Sequence, residues 1–383
     1  MSIRLAIIRQ RYNPFGGAER FVERALEALG TQEAVETTLI TRQWAANASV
    51  GSGSFRELRC DPFYLGSTWR DRSFAREACR LVAEEGFDLV QSHEKVACCD
   101  IYRAGDGVHR VWLAQRRKQQ GAAGRLWLDL NPYNRYVLAA EEALFRSPRL
   151  KAVICISRMV RDEIKANFGI DDARLHVIYN GIDLDRFNPR LQQHRQEVRS
   201  HYGIDAAAPL FIFVGSGFER KGLAALLRNL PPAAWLLVVG KDRRQSHYED
   251  MAKSLGIGAR VRFAGPQKDV GKLYGAADAF VFPTIYEPFG NVVLEAMATG
   301  LPVLTTTTCG GAELVVDGRN GYVCDAFDDA GLANGMRALC DLERLAAMRP
   351  VARQTAEAFS LEAMATKMID LYRSLLPRQR QTA

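Results

Sequence analysis

The chain has 383 residues, of which 48% are hydrophobic and 25% charged, and a formal net charge of +7. This length exceeds what one hydrophobic core usually supports, so two domains are expected, and the composition is that of a globular enzyme. An apolar run of about eighteen residues, which a membrane-spanning helix needs, is absent from the sequence. The positive charge indicates anionic partners, among which nucleic acid, a membrane surface and phosphorylated small molecules all fit.

The N-terminal segment predicts a first buried strand, because it is too short and too interrupted for a signal peptide. A cytoplasmic protein is therefore expected. The eight cysteines are scattered, with no CxxC pair and no histidines at metal-ligand spacing. We expect most of them to be small buried apolar residues, and we expect no structural zinc site.

Short apolar runs alternate along the chain with longer amphipathic stretches, which is typical of parallel βαβ units. The predicted strands cover residues 5–8, 88–91, 152–156, 176–179, 210–214, 235–239, 260–263, 279–282 and 302–305. The predicted helices include residues 18–29, 158–167, 223–230, 248–255 and 292–298. This alternation predicts an α/β protein made of Rossmann-like domains.

The domain boundary is predicted at about residues 186–200. An Asn180-Gly181 turn precedes this stretch, residues 190–199 are polar, and a new strand begins near Leu210. We expect an N-terminal domain over residues 1–188 and a second domain over residues 189–358. A C-terminal helix within residues 359–383 is expected to pack back on the first domain.

Two glycines, Gly16 and Gly17, lie between the first strand and the first predicted helix. They allow the backbone to approach a ligand, and the helix N-terminus offers free amides to an anion. An ordinary tight turn explains the pair equally well.

A second glycine-rich loop, from Gly215 to Gly222, follows the first strand of the second half and precedes a helix. It carries Arg220 and Lys221, whose charges suit a diphosphate and can neutralise a leaving group without a metal. A solvated Arg-Lys pair is the alternative interpretation. Positive charge at a helix start opposes the helix dipole, which argues against a purely structural role.

The most informative stretch runs from Glu287 to Pro302. Glu287 lies in a loop, and a helix then begins near Asn291 and carries Glu295. The first amides of that helix can hold a phosphate, while the carboxylates bind ribose and sugar hydroxyls. The residues predicted to bind this substrate, the donor in the reaction considered below, are Gly16, Gly17, Arg220, Lys221, Glu287, Phe289, Gly290, Asn291 and Glu295.

On these motifs the second half resembles the nucleotide-binding half of retaining glycosyltransferases of family four. That resemblance implies the GT-B fold, in which two Rossmann-like domains with parallel sheets face an interdomain cleft that holds the donor diphosphate. The motifs occur in the family's order over most of residues 175–325. They are Asn180-Gly181-Ile182-Asp183, the loop at 217–222, the pair Glu287 and Glu295, and residues 300–303, 310–315 and 317–321.

The first half resembles the lipopolysaccharide core glucosyltransferases of that family, through residues 14–17 and 93–106. In that branch an aspartate at the position of Asp106 lies at the reaction centre. Other family members place a histidine nearby, so His109 is the alternative. The resemblance implies a hexosyltransferase that moves glucose from a UDP-sugar to an inner-core heptose of lipopolysaccharide.

The resemblance also implies a mechanism, since the sequence offers no convincing nucleophile. It implies a retaining front-face substitution in which the leaving diphosphate helps to deprotonate the acceptor hydroxyl. Lys221, with Arg220, would stabilise the diphosphate without a metal or a cofactor. Asp106 would orient the acceptor or stabilise oxocarbenium-like charge, and Glu287 completes the predicted catalytic set.

A basic segment that contains two tryptophans spans residues 109–130. Its cations are interleaved with apolar residues, a pattern typical of helices that lie on anionic membranes. A solvated helix that packs its tryptophans on its own domain is the competing interpretation. The residues predicted to contact the membrane are Arg110, Trp112, Arg116, Arg117, Lys118 and Trp127. This pattern predicts peripheral association with the inner membrane.

Three other functions remain open from the sequence. The first two are a GT-B glycosyltransferase with another lipid-linked or polysaccharide acceptor, and a sugar-nucleotide epimerase. A basic Rossmann-type nucleic-acid-binding protein is more distant, because the Glu287 and Glu295 carboxylates would repel RNA and no recognised binding motif is present. The predicted partners are therefore a UDP-sugar, a lipid-linked saccharide and an anionic membrane, without nucleic acid.

Overall fold

The computed structural model describes residues 3–11, 35–43 and 56–376. The chain forms two compact units, Met1–Gly181 together with Leu361–Ala383, and Ile182–Ser360. No helix within the described ranges is long and apolar enough to cross a membrane.

The first unit contains a seven-stranded parallel sheet. Its strands are β1 (Ile3–Ile8), β2 (Val35–Thr41), β3 (Arg56–Arg59), β4 (Leu89–Ser92), β5 (Ile101–Ala104), β6 (Ala152–Cys155) and β7 (Leu175–Val177). They are arranged in the order β3-β2-β1-β4-β5-β6-β7. The strand order reverses between β1 and β4, and ligands of such sheets bind at the carboxyl ends of the strands at this point.

Five helices of the first unit precede the second unit in the part of the chain that the structure describes. They are α1 (Gly66–Glu85), α2 (His109–Lys118), α3 (Ala122–Leu130), α4 (Pro132–Phe145) and α5 (Arg158–Phe168). α1 buries Phe74, Ala78 and Val82, which recur at helical spacing on one face. α4 begins with Pro132 after Asn131, whose side chain accepts hydrogen bonds from the first free amides. The predicted helix at residues 18–29 lies outside the described residues.

The second unit contains a six-stranded parallel sheet in the order β10-β9-β8-β11-β12-β13. The strands are β8 (Leu210–Val214), β9 (Trp235–Val239), β10 (Val261–Gly265), β11 (Ala279–Phe282), β12 (Val303–Thr306) and β13 (Gly321–Cys324). The described helices are α6 (Arg195–His201), α7 (Leu223–Arg228), α8 (Gln245–Ser254), α9 (Gly271–Ala276), α10 (Asn291–Ala298), α11 (Asp329–Ala338) and α12 (Leu342–Glu357). The switch point lies between β8 and β11.

The polar stretch at 190–199, expected at the domain boundary, is instead a folded part of the second unit. It forms a short 3-10 helix and the start of α6. Arg199 is buried and forms an ion pair of 2.6 Å with Asp278, which also pairs with Arg195 and Arg349. Arg195 and Arg199 attach this stretch to the second unit through that cluster, and the chain passes between the units at Gly181.

The last described helix, α13 (Leu361–Leu375), belongs to the first unit. Its Met368 and Tyr372 are buried in a core cluster with Ile7 and Leu89 of the central strands. The Tyr372 hydroxyl donates a hydrogen bond of 2.8 Å to Gln91 Oε1. The apolar face of the helix therefore completes the core of the first unit.

Two of the scattered cysteines, Cys79 on α1 and Cys98 in the loop after β4, form a disulfide. The other six are thiols, four of which are buried. The expectation that most cysteines are small buried apolar residues describes the four buried thiols and does not extend to this pair. Their separation of 19 residues carries no pairing motif, and only the packing of α1 beside β4 brings them together.

Candidate active site

The loops after β8 and β11 meet at the switch point of the second sheet. The Arg220 carbonyl accepts hydrogen bonds from the Ile285 amide at 2.9 Å and from the Thr284 hydroxyl at 3.1 Å. Gly222 has a φ of +78°, and a Cβ there would lie 1.9 Å from the Pro283 carbonyl oxygen, so only glycine permits this approach. The segments that the sequence assigned to the diphosphate and to the sugar therefore lie against each other.

Three predicted catalytic or donor-binding side chains converge in this region. Arg220 donates to Glu287 Oε2 and to the Tyr286 carbonyl, each at 2.9 Å. Lys221 forms an ion pair with the same carboxylate oxygen, and its ammonium lies 4.8 Å from the centre of the Phe282 ring. Two cations thus face one carboxylate, which leaves positive charge at the strand ends where an anionic ligand is expected.

The protonation of Lys221 depends on its anionic neighbour. Burial, reinforced by the nearby Arg220 guanidinium, lowers the pKa of Lys221, whereas ion-pair contact with Glu287 favours the charged form. Lys221 is therefore a cation whose charge is stabilised by an adjacent anion. A bound diphosphate provides such an anion.

The loop that carries Glu287 is held by the segment after β12. The Glu287 amide donates to the Thr308 carbonyl at 3.0 Å, and the Gly310 amide donates to the Glu287 carbonyl at 2.9 Å. The Gly311 amide donates to the Phe289 carbonyl at 2.7 Å. The side chain of Phe289, predicted above to contact the donor, is only 1% exposed.

Glu295 lies one turn into α10, which begins after Gly290 in a left-handed conformation with φ +80°. The half-buried Asn291 is its first residue. The hydroxyl of Tyr274, a buried residue of α9, donates to Glu295 Oε2 at 3.1 Å. No sequence motif indicates that Tyr274 contacts Glu295, which lies 21 residues further along the chain.

A second polar group, which contains the predicted Asp106, lies at the switch point of the first sheet. A cavity of about 90 Å³ there is lined mainly by Gln10, Asp71, Glu94, Lys95, Asp106, Tyr133 and Tyr136. Asp71 accepts hydrogen bonds from the side chains of Gln10 and Tyr133, both at 3.1 Å. Glu94 accepts from the Gln10 amide at 3.0 Å. Gly16 and Gly17, predicted to contact the donor, lie outside the described residues.

Asp106, and not His109, lines this cavity. The His109 ring lies 3.3 Å from Asn134 Oδ1, and its backbone amide donates to Glu141 at 2.8 Å. Burial lowers the pKa of His109 to about 4, so the ring is neutral at neutral pH. Burial raises the pKa of Glu94, while nearby anionic groups outweigh burial and raise that of Lys95. The cavity is polar and predominantly acidic.

Two motif asparagines stabilise loops. Asn180 accepts a hydrogen bond from Arg103, which is buried in the first unit. Asn320 accepts from the Val316 amide at 2.7 Å and donates to the Leu314 carbonyl at 3.0 Å. Asn320 therefore fixes the backbone of its own loop, and Asn180 is held by the buried Arg103 side chain.

The predicted membrane residues occupy α2 and α3 of the first unit. Arg110 is exposed and pairs with Glu142 at 3.6 Å, whereas Trp112 is half-buried and packs on its own unit. Arg117 forms an ion pair with Asp129 of α3. Arg116 is half-buried, Lys118 is exposed, and Trp127 is 57% exposed. The structure thus divides the set into residues packed on the unit and residues that face outward.

The two halves of the chain match two family models, Glycosyltransferase Family 4 over residues 15–186 and Glycosyl transferases group 1 over residues 194–356. A glycogen synthase of Mycobacterium tuberculosis H37Rv is 30% identical over 311 residues, which span 79% of this chain and 68% of that protein. The chain belongs to the family 4 glycosyltransferases.

This family 4 glycosyltransferase is similar along nearly its whole length to a lipopolysaccharide enzyme. The lipopolysaccharide glucosyltransferase WaaG of Escherichia coli K12 is 26% identical over 377 residues, 96% of this chain and 98% of WaaG. The WaaG crystal structure matches with a TM-score of 0.82 over 96% of this chain and 99% of that one. Anabaena HepE in complex with UDP-glucose shares the fold, with a TM-score of 0.74 and 20% identity over 97% of this chain and all of that one. The predicted GT-B fold is confirmed.

Proposed function

We propose that this glycosyltransferase transfers glucose from UDP-glucose to an inner-core heptose of lipopolysaccharide, with retention of configuration and without a metal ion. The observation that carries the proposal is the convergence of Arg220, Lys221 and Glu287 at the switch point of the second sheet. Similarity to WaaG over nearly the whole chain supports the choice of reaction.

The donor binds to the second unit. Its diphosphate replaces Glu287 as the anionic neighbour of Lys221 and Arg220, and its ribose hydroxyls donate to Glu295, which Tyr274 orients. The freed Glu287 carboxylate accepts hydrogen bonds from the sugar hydroxyls. UDP is the proposed nucleotide because the structurally similar HepE is described in complex with UDP-glucose.

The chemical step exchanges one bond at the anomeric carbon for another. The bond from that carbon to the diphosphate oxygen breaks while the acceptor oxygen forms its bond on the same face. The acceptor proton passes to the departing phosphate oxygen. Lys221 and Arg220 stabilise the charge that grows on the leaving group, which is the main electrostatic contribution of the protein to this step.

The acceptor binds in the polar cavity of the first unit. Its carboxylates and tyrosine hydroxyls match the donors and acceptors of sugar hydroxyl groups. Asp106 orients the reacting hydroxyl or stabilises positive charge on the sugar ring. Because this acceptor is attached to lipid, we propose peripheral binding to the cytoplasmic face of the inner membrane through the outward-facing residues of α2 and α3.

A transfer assay with radiolabelled donors tests the proposal. The enzyme is incubated with truncated core oligosaccharide that ends in heptose and, in parallel, with UDP-glucose, UDP-galactose, ADP-glucose or GDP-mannose. We expect labelled product from UDP-glucose, an α-linkage by nuclear magnetic resonance, and an unchanged rate in EDTA. Transfer only from another donor, a β-linkage, or an epimerised nucleotide sugar without transfer would contradict it.

A further inference from the structure

Large exposed apolar side chains of the first unit, among its described residues, fall in two short segments. Their exposed fractions range from 47% to 73%. They are Phe63, Leu65 and Trp69 at the start of α1, and Leu126, Trp127 and Leu130 on α3. The α3 group belongs to the basic segment that the sequence identified, whereas nothing in the sequence analysis indicated the α1 group.

A hydrogen bond links the chain segments that follow the two groups. Asp71 follows Trp69 on α1, and Tyr133 follows Leu130 at the start of α4. The Tyr133 hydroxyl donates to Asp71 Oδ2 at 3.1 Å. This hydrogen bond joins the two chain segments immediately beyond their apolar residues.

Positive charge accompanies both groups. Arg72 and Arg76 are exposed one helical turn apart on α1, and neither forms an ion pair with a described residue. Together with Leu65 and Trp69 they line a surface groove of about 550 Å³. The acidic residues of these segments are paired with cations, as Asp71 is with Arg70. The surface therefore combines exposed aromatic rings with an excess of cations.

We propose that residues 63–76 and 116–130 form one docking surface for an anionic lipid bilayer, in which the start of α1 is as necessary as α3. Tryptophan and phenylalanine side chains favour the interface between headgroups and acyl chains, and arginines beside them bind lipid phosphates. A bilayer fits this surface better than a protein partner, because the excess charge is of one sign and Arg72 and Arg76 line the same groove as Leu65 and Trp69.

The docking surface also borders the cavity that holds the proposed acceptor. Asp71 and Tyr133, which join the two segments, line that cavity together with Asp106. A saccharide attached to a membrane lipid reaches the cavity from the surface in which its lipid is embedded. This step rests on the proposed function, whereas the binding of lipid can be measured independently of it.

Co-sedimentation with vesicles of phosphatidylethanolamine and phosphatidylglycerol tests the docking surface. Replacing Arg72 and Arg76 by glutamine should lower the partition coefficient about thirtyfold, which corresponds to about 1 kcal/mol for each cation. Replacing Phe63, Leu65 and Trp69 by serine should lower it at least tenfold, also at high salt, because the apolar contribution is not screened. Vesicles of phosphatidylcholine alone should bind the wild type poorly.

Matched controls are available in the second unit. Arg243 and Arg319 are exposed arginines, and Leu255, Val316 and Leu342 are exposed apolar residues. Changing the arginines to glutamine, or the apolar residues to serine, removes similar charge or apolar area and should leave vesicle binding within twofold of the wild type. The unfolding temperature of each variant shows that exposed positions were changed without loss of the fold.

The outcomes separate the docking surface from the proposed function. Loss of binding on changing Leu126, Trp127 and Leu130, but not on changing the α1 group, would overturn the inference and leave α3 as the contact. Absence of vesicle binding by the wild type, or self-association through this surface in sedimentation, would also overturn it. Glucose transfer to a delipidated oligosaccharide should be unchanged in the α1 variants. If the wild type does not transfer glucose to this oligosaccharide, that result contradicts the proposed function and not the docking surface.

Discussion

Replacing Glu295 by alanine should weaken the binding of UDP roughly tenfold to hundredfold. Glu295 Oε2 is oriented by the Tyr274 hydroxyl at 3.1 Å, so the carboxylate is fixed before the ribose arrives. A hydrogen bond to a charged group contributes about 1.5–3 kcal/mol, and about 1.4 kcal/mol corresponds to a tenfold change in affinity. Titration calorimetry with UDP measures this change directly.

Tyr274→Phe separates the orientation of Glu295 from its charge. It removes a neutral donor, so we expect a loss of about 0.5–1.5 kcal/mol, or roughly twofold to tenfold in UDP affinity. The double variant should bind UDP as weakly as Glu295→Ala alone, because the tyrosine acts through the glutamate. Tyr322→Phe is the matched control, since the buried Tyr322 hydroxyl has no hydrogen-bond partner among the described residues. Unchanged UDP affinity in folded Glu295→Ala would refute the assignment.

Three further changes have expected outcomes. Lys221→Ala should lower kcat strongly. Its unfolding temperature should fall only slightly, because Arg220 still pairs with Glu287. A kcat equal to that of the wild type, or activity that magnesium or manganese restores, would contradict the role of Lys221. Asp278→Ala should cost about 3–5 kcal/mol of stability in urea unfolding, because it leaves buried Arg199 without its counter-ion; a loss below about 1 kcal/mol would refute this. The pKa of His109 is about 4 in the folded chain and ordinarily 6.5, so the unfolded chain binds the proton first as the pH falls. The stability that the neutral His109 ring contributes to the fold is therefore lost between pH 6.5 and pH 4. Urea midpoints at pH 7 and 4.5 should therefore differ less in His109→Gln than in the wild type, and an equal difference would exclude this role.

The second sheet was largely predictable from the sequence. Residues 210–214, 235–239 and 279–282 were predicted as strands with the bounds that the structure has. Strands of a parallel sheet are buried on both faces, so their sequences are nearly continuous apolar runs. The edge strand at 321–324 and the strand at 101–104 were missed, because polar or small residues interrupt their apolar pattern.

The 20-residue helix α1 was also missed, although it carries Asp71 and the disulfide cysteine Cys79. Its buried residues are few, and exposed arginines and glutamates separate them, so the amphipathic signal is weak. Helices of this kind gain most of their stability from packing on the rest of the unit, which a local pattern does not reveal.

The sequence alone determined the chemistry available at the donor loops. Glycines, cations and carboxylates at fixed local spacing specify a phosphate-binding loop and a pair of acceptors for hydroxyl groups, because these roles depend on neighbours within a few residues. Only the tertiary structure decided which distant groups act with them. Tyr274 with Glu295, Cys79 with Cys98, and Asp71 with Tyr133 are contacts between separate segments of the chain. Such contacts depend on how helices pack on the sheets, and no residue pattern within either segment encodes its partner.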